Sequence, residues 1–126
     1  MSKKILIVED GKTIQLELQV ILGRENYVIE VVDNGVEALK SLKKSVPDLI
    51  LLDIMMPEMD GIECCAKIRA DKRFDNVKIV ILSAVEEYEK VDEAFDAGCD
   101  DFLAKPIGRK DLLDKIEMLT KIKDLK

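Results

Sequence analysis

The chain has 126 residues, of which 48% are hydrophobic and 37% are charged, and this composition is typical of one globular domain rather than of a disordered segment. Acidic residues outnumber basic residues by 26 to 20, so direct binding to nucleic acid is not expected. The absence of histidine excludes histidine-based catalysis and histidine-ligated metal within this chain, and no apolar run approaches the roughly 20 residues that span a bilayer.

Five short apolar segments predict β-strands, in chain order residues 3–8, 27–32, 48–53, 77–83 and 101–105. Nearly continuous apolar runs of this kind are typical of parallel strands that are covered on both faces. Apolar residues at helical spacing predict a helix after each strand: Ile14, Leu18, Ile21 and Leu22; Val36, Leu39, Leu42 and Val46; Ile62, Cys65 and Ile68; Val91, Ala94 and Phe95; Leu112, Ile116 and Leu119. The alternation predicts an α/β fold, an open parallel sheet with helices on both faces.

Three local signals indicate where helices begin and end. Asn34 with Glu37, and Asp60 with Glu63, have the spacing of a capping box, with Asn or Asp in the place of Ser or Thr. Gly98 is a natural helix C-terminus. The acidic run at residues 86–90 is interpreted as a solvated start to the fourth helix, because acids are favoured near a helix N-terminus.

Polar residues stand at the ends of four predicted strands, namely Glu9, Asp10, Asp53, Ser83 and Lys105. Taken singly, Glu9 and Asp10 are typical of a solvated turn, Ser83 of a strand-end cap and Lys105 of a solvated charge. In an open α/β sheet, however, the carboxyl ends of the strands form the ligand site. Three carboxylates share a small site when a hard cation such as Mg²⁺ joins them. With a hydroxyl and an ammonium group added, the set suits phosphoryl transfer, with Asp53 as the nucleophile.

These residues occur in order within recognisable motifs: the acid pair Glu9–Asp10, then "LILLDIMMPEMDG", "ILSA" and "LAKP". Together they resemble the receiver domain of two-component response regulators, of the chemotaxis-regulator type, over the whole chain. The resemblance implies a doubly wound (βα)5 fold with the flavodoxin-like strand order 2-1-3-4-5. It also implies that residues 1–126 form a single receiver domain, with no output domain in this chain.

The resemblance assigns roles to the residues at the strand ends. Asp53 would be the phosphoacceptor, and Ser83 and Lys105 would bind phosphoryl oxygens. The magnesium site would consist of Glu9, Asp10, Asp53 and the backbone carbonyl of Met55, with Glu9 acting through water. Offset by Mg²⁺ and Lys105, the charge of Asp53 becomes tolerable beside a buried strand.

The resemblance also implies a switch. Phe102 occupies the switch-aromatic position and would respond to movement of Ser83, while Lys105–Pro106 would be a cis peptide that aims the lysine. Two residues depart from the common pattern. Ser83 replaces the more frequent threonine, which implies a looser switch, and Ile107 stands where many transcriptional members carry phenylalanine, which weakens an assignment to the DNA-binding subclass.

A receiver of this kind would take its phosphoryl group from a histidine kinase or a histidine phosphotransfer protein and would control a downstream protein target. The surface expected to bind this target is the face formed by the fourth helix, the fifth strand and the fifth helix. We expect a monomer or a weak phosphorylation-linked dimer, with no contact to nucleic acid or membrane. Cys64, Cys65 and Cys99 are odd in number and match no zinc spacing, which favours a reducing cytoplasm.

Two other classes of function use some of the same residues. Enzymes of the haloacid-dehalogenase type also carry a strand-end aspartate nucleophile and Mg²⁺, but they normally have a second aspartate two residues on, where this chain has Met55. A degenerate receiver would bind partners without being phosphorylated, and the complete set of acids, Ser83 and Lys105 argues against it. The phosphorylated switch is the preferred hypothesis, and the chain is expected to act on itself rather than as an enzyme on outside substrates.

Overall fold

The computed structural model describes the backbone of residues 2–124 and the side chains of residues 2–121. Within this part of the chain, strands and α-helices alternate five times. The elements are β1 (Lys4–Val8), α1 (Lys12–Gly23), β2 (Val28–Val32), α2 (Gly35–Lys44), β3 (Leu49–Asp53), α3 (Gly61–Arg69), β4 (Lys78–Ser83), α4 (Val91–Asp96), β5 (Asp101–Ala104) and α5 (Arg109–Asp124). Two 3-10 helices, Lys72–Phe74 and Val85–Lys90, precede β4 and α4. No helix in the described range is long and apolar enough to cross a membrane.

All strand pairs are parallel, and the order across the sheet is β2-β1-β3-β4-β5. The predicted fold class and strand order are therefore confirmed. The chain moves from β1 outward to β2 and then returns to the other side of β1 with β3, so the direction of winding changes between β1 and β3. Crevices at such a change, beyond the carboxyl ends of the strands, are where open α/β sheets bind ligands.

The sheet is buried on both faces because alternate residues of its central strands pack on opposite sides. In β3, Leu49 and Leu51 pack in the cluster that α1 and α5 cover, whereas Ile50 and Leu52 pack in the cluster beneath α2, α3 and α4. All four are fully buried, and each contributes about 1.5–3 kcal/mol relative to an exposed side chain. This packing explains why β3 has no polar residue before Asp53.

Local signals in the sequence explain where several helices begin and end. The side chains of Asn34 and Asp60 accept hydrogen bonds from the backbone N–H groups of Glu37 and Glu63, at 2.9 and 2.8 Å. Each bond satisfies an N–H that has no partner within its own helix. Gly98 follows α4 with φ of 111°, a conformation that favours glycine, and it ends the helix as predicted.

Two details of the helix predictions were wrong, one at Val46 and one at residues 86–90. Val46 is not on the second helix, which ends at Lys44, and its side chain is 54% exposed. The reason is Pro47, because a proline disfavours helical backbone at the residue that precedes it. Phe95 is on α4, as its spacing predicted, and it is 43% exposed because Val91 and Ala94 form the packed face of this short helix. Residues 86–90 belong to a separate 3-10 helix rather than to the α-helix.

Candidate functional site

Three carboxylates come together at the carboxyl edge of the sheet. Glu9 and Asp10 follow β1, and Asp53 is the last residue of the adjacent strand β3. One carboxylate oxygen from each residue lies within 4.8 Å of the other two. Glu9 and Asp53 are buried and Asp10 is exposed. The cluster therefore has two acids inside the protein and one at its open side.

Lys105 reaches this cluster from the end of β5. Its Nζ lies 2.9 Å from Asp53 Oδ1 and 3.3 Å from Glu9 Oε1. Its backbone N–H donates to the Ser83 carbonyl at 2.8 Å, which ties the residue to the end of β4. The Lys105–Pro106 peptide bond is cis. Lys105 thus bridges two acids from two different strands.

Burial and neighbouring charges shift the pKa values of Glu9, Asp53 and Lys105 at this site. Burial raises the pKa of the Glu9 carboxyl, and the nearby charge of Asp53 raises it further. Burial also raises the pKa of Asp53, although its hydrogen bond to Lys105 works in the opposite direction. For Lys105, burial acts to lower the pKa, but the bond to Asp53 and the charges of both acids outweigh it and raise the pKa.

The donor set fits a hard divalent cation. Its atoms are carboxylate oxygens, the ligand type that Mg²⁺ prefers, and they converge from two strands. Glu9 Oε1 is buried and has no hydrogen-bond donor within the described residues, although the Lys105 ammonium is near. A bound cation would satisfy this oxygen directly or through a water molecule.

Neighbouring groups hold the acids in place. The backbone N–H of Gly11 donates to Glu9 Oε2 at 2.9 Å. The buried side chain of Gln15 donates to the Glu9 carbonyl oxygen and, at 2.9 Å, to Asp33 Oδ1. Sequence reasoning missed Gln15, because only the fold brings the first turn of α1 against the ends of both β1 and β2.

Ser83 is fully buried, and its hydroxyl donates to the Ala84 carbonyl at 3.1 Å. Thus in this structure its bond is to its own segment and not to Asp53 or Lys105. Phe102 is half-buried on β5, and its ring meets the edge of the Tyr88 ring with centroids 6.2 Å apart. Tyr88 is a contact of Phe102 that sequence reasoning missed.

Met55 and Val85 lie near the site but on its solvent side, 44% and 65% exposed. The backbone N–H of Met55 bonds to the Asp53 carboxylate and acts to lower its pKa. Lys90 Nζ lies 3.4 Å from the Met55 sulfur. The rim of the site thus carries these two apolar side chains in addition to the exposed Asp10.

Comparison with known proteins agrees with this fold. Residues 5–117 match the family model of the response regulator receiver domain. The response regulator MprA of Mycobacterium ulcerans is 35% identical over 98% of the chain, which covers 54% of that protein. The chain thus spans about half the length of the curated relatives that it matches.

Solved structures show the same similarity. The receiver domain of the sensor histidine kinase PA1611 from Pseudomonas aeruginosa, with magnesium coordinated in its active-site cleft, has a TM-score of 0.89 at 29% identity, covering 96% of this chain and 99% of that one. The chemotaxis response regulator CheY4 of Vibrio cholerae has a TM-score of 0.88 at 28% identity, covering 94% and 99%. The chain belongs to the family of response regulator receiver domains of two-component signalling.

Proposed function

We propose that this receiver domain is a phosphorylation-dependent switch that accepts a phosphoryl group on Asp53 with Mg²⁺. The observation that carries the proposal is the arrangement around this carboxylate. Lys105 Nζ lies 2.9 Å from Asp53 Oδ1, and oxygens of Glu9, Asp10 and Asp53 lie within 4.8 Å of one another. Such a site can both orient the nucleophile and neutralise a phosphoryl group, which is most of what phosphoryl transfer requires.

In the proposed reaction, a carboxylate oxygen of Asp53 attacks phosphorus in line. The bond between phosphorus and the donor's histidine nitrogen breaks, and its electron pair stays with the imidazole. The product is an acyl phosphate on Asp53. The Lys105 ammonium group then pairs with a phosphoryl oxygen instead of the free carboxylate. The hydroxyl of Ser83 turns from the Ala84 carbonyl and donates to a second phosphoryl oxygen.

Glu9, Asp10 and Asp53, with the backbone carbonyl of Met55, would hold the magnesium ion, Glu9 acting through water. When bound, the cation supplies positive charge that offsets the charge of the transferring group. The buried Glu9 would face the inner side of the ion, and the exposed Asp10 would face the side from which the ion enters from solvent.

The output of the switch would be a shift in population rather than a new fold. When Ser83 moves toward the phosphoryl group, it vacates space that lets the Phe102 ring turn inward, and the face formed by α4, β5 and α5 changes. Burial of the ring contributes about 1.5–3 kcal/mol at full effect, which biases the equilibrium without locking it. Contact of Phe102 with Tyr88 couples the ring to the segment before α4 as well.

The partners would be a histidine kinase or phosphotransfer protein and a downstream protein target, without direct contact to nucleic acid or membrane. The acidic balance of 26 to 20 supports the exclusion of nucleic acid. The free state of Cys64, Cys65 and Cys99 supports a cytoplasmic setting. We further propose that residues 1–126 act as one receiver unit, as a monomer or a weak phosphorylation-linked dimer.

The test is labelling of the protein by acetyl phosphate with and without Mg²⁺, followed by intact mass. We expect one phosphoryl group per chain with Mg²⁺ and little when the metal is chelated. A parallel assay on generic phosphate esters distinguishes the dehalogenase-type alternative, which would release phosphate repeatedly. Failure of labelling in both conditions, with the protein folded, would favour the degenerate receiver and overturn the proposal.

A further inference from the structure

Glu87 bonds back to the end of β4 from within the 3-10 helix Val85–Lys90. The backbone N–H of Ala84 donates to Glu87 Oε1 at 2.8 Å, and the backbone N–H of Glu87 donates to the Ala84 carbonyl at 2.9 Å. Ala84 has only a methyl side chain and cannot cap this helix itself. The two bonds with Glu87 therefore fix residues 84–87 as a compact turn.

This turn begins directly after Ser83, whose hydroxyl also donates to the Ala84 carbonyl. Two donors at the end of β4, the Ser83 hydroxyl and the Ala84 N–H, are thus engaged inside their own segment. They stand at the edge of the sheet that carries the site, because β4 lies beside β3 and Lys105 bonds to the Ser83 carbonyl. A phosphoryl group on Asp53 would bring new acceptor oxygens to this edge.

The Glu87 carboxylate and a phosphoryl group would also repel each other. Burial raises the pKa of Asp53, and the negative charge of Glu87 raises it further, so the field of Glu87 is felt at the acceptor. A phosphoryl group adds about 1.5–2 negative charges at neutral pH. Repulsion from Glu87 would therefore grow at the step in which the Ala84 N–H becomes available to a better acceptor.

We propose that Glu87 is a positioning residue, which holds residues 84–87 in their unphosphorylated arrangement and must release the Ala84 N–H when Asp53 is phosphorylated. The inference rests on the proposed function, since it concerns regulation of the same site. Glu87 then opposes phosphorylation, and it links the occupancy of Asp53 to the segment that leads into α4. Tyr88, the next residue, meets the Phe102 ring, so release of Glu87 would reach the switch aromatic directly.

The experiment compares four forms of the 126-residue chain in Mg²⁺: the parent, Glu87→Ala, Glu87→Gln and Glu89→Ala. Acetyl phosphate is used at a concentration that labels a minority of the parent, and intact mass gives the ratio of phosphorylated to unphosphorylated chain. Removing a charge-assisted hydrogen bond should raise this ratio about threefold or more in Glu87→Ala. Glutamine keeps an acceptor for the Ala84 N–H without the charge, so its ratio should be intermediate.

Glu89→Ala is the matched control, because Glu89 is an exposed acid of the same 3-10 helix and has no hydrogen bond to Ala84 among the described residues. Its ratio should equal that of the parent. A second readout is the backbone amide resonance of Ala84, which in unphosphorylated Glu87→Ala should move toward its position in the phosphorylated parent. A purely structural role for Glu87 would not raise the ratio.

The inference is overturned if the parent is labelled while Glu87→Ala has the parent's ratio and an unmoved Ala84 resonance. If circular dichroism shows that Glu87→Ala does not fold, the test uses Glu87→Gln instead. A ratio of phosphorylated to unphosphorylated Glu87→Gln equal to the parent's then overturns the inference. Absence of labelling in the parent itself is a different result, because it refutes the proposed function and removes the basis of the inference with it.

Discussion

Gly61 lies against the backbone of Asp53 so closely that any side chain there would collide with it. A Cβ atom placed on Gly61 would be 2.3 Å from the Asp53 carbonyl oxygen and 2.9 Å from the Ile54 Cα. The N–H of Gly61 donates to the Ile54 carbonyl at 2.9 Å, which fixes the start of α3 beneath the loop that leaves β3. The absence of a side chain at position 61 therefore helps to set the position of Asp53.

The first prediction is that Gly61→Ala destabilises the fold and displaces Asp53. Because the contacts are with backbone atoms, the clash requires backbone movement, and we expect a loss of about 1–3 kcal/mol in the free energy of unfolding. Chemical denaturation measures it. Gly23→Ala is the control, since a Cβ at Gly23 would meet nothing within 4 Å. Equal stabilities of the two variants would contradict the close approach.

The second prediction concerns the exposed acid of the cluster. Asp10→Ala removes one ligand charge from a site built on carboxylates, so Mg²⁺ affinity should fall by about tenfold or more. Titration of Mg²⁺ against an NMR signal of the site measures this affinity. Asp75→Ala is the control, because Asp75 is an exposed acid that precedes β4 at the opposite edge of the sheet. An unchanged affinity in Asp10→Ala would rule out its role as a ligand.

The third prediction separates metal binding from switching at Lys105. Lys105→Ala removes a positive charge bonded to Asp53, so Mg²⁺ binding should be unchanged or tighter, by up to about tenfold. Phosphorylation should no longer move the Phe102 ring, which aromatic NMR signals report. Lys110→Ala, at an exposed lysine paired with Asp114, should behave like the parent. A normal phosphorylation-dependent response of Phe102 in Lys105→Ala would contradict the mechanism.

The fourth prediction concerns the lifetime of the acyl phosphate. Met55 and Val85 are exposed apolar side chains at the rim, and neither can orient or activate the water that attacks phosphorus. Self-dephosphorylation should therefore be slow. The double variant Met55→Asn, Val85→Glu should accelerate decay in Mg²⁺ by about tenfold or more, measured after removal of the donor.

The control for this double variant is Val46→Glu, which changes an exposed valine that precedes β3, away from the carboxyl edge. It should leave the decay rate unchanged. Decay of the double variant at the parent's rate would show that these two side chains do not control the lifetime.

Much of the fold was predictable because its signals are local. Apolar runs predicted each strand to within one residue at either end, and Asn34 and Asp60 cap helices as their spacing indicated. Val46 continues the apolar spacing of the second helix, but Pro47 disfavours helical backbone at the residue before it, and the helix ends at Lys44. Helical spacing likewise could not show that the turn before α4 is a 3-10 helix.

The site was predictable in its membership but not in its internal bonds. Buried acids and a lysine at strand ends follow from the sequence once the strands are known. The bonds of Gln15 to Glu9, and of Glu87 to Ala84, depend on how loops and helices meet in three dimensions. The orientation of the Ser83 hydroxyl toward Ala84 has no sequence signal either, because a serine can bond to many nearby acceptors.

The most direct test of the central claim is acetyl phosphate labelling of Asp53→Asn beside the parent, in Mg²⁺, with intact mass as the readout. The substitution is nearly isosteric, and circular dichroism verifies that both proteins are folded. We predict that the parent gains one phosphoryl group and that the variant gains none, because an amide cannot act as the nucleophile. Undiminished labelling of folded Asp53→Asn would contradict the assignment of Asp53 as the phosphoacceptor.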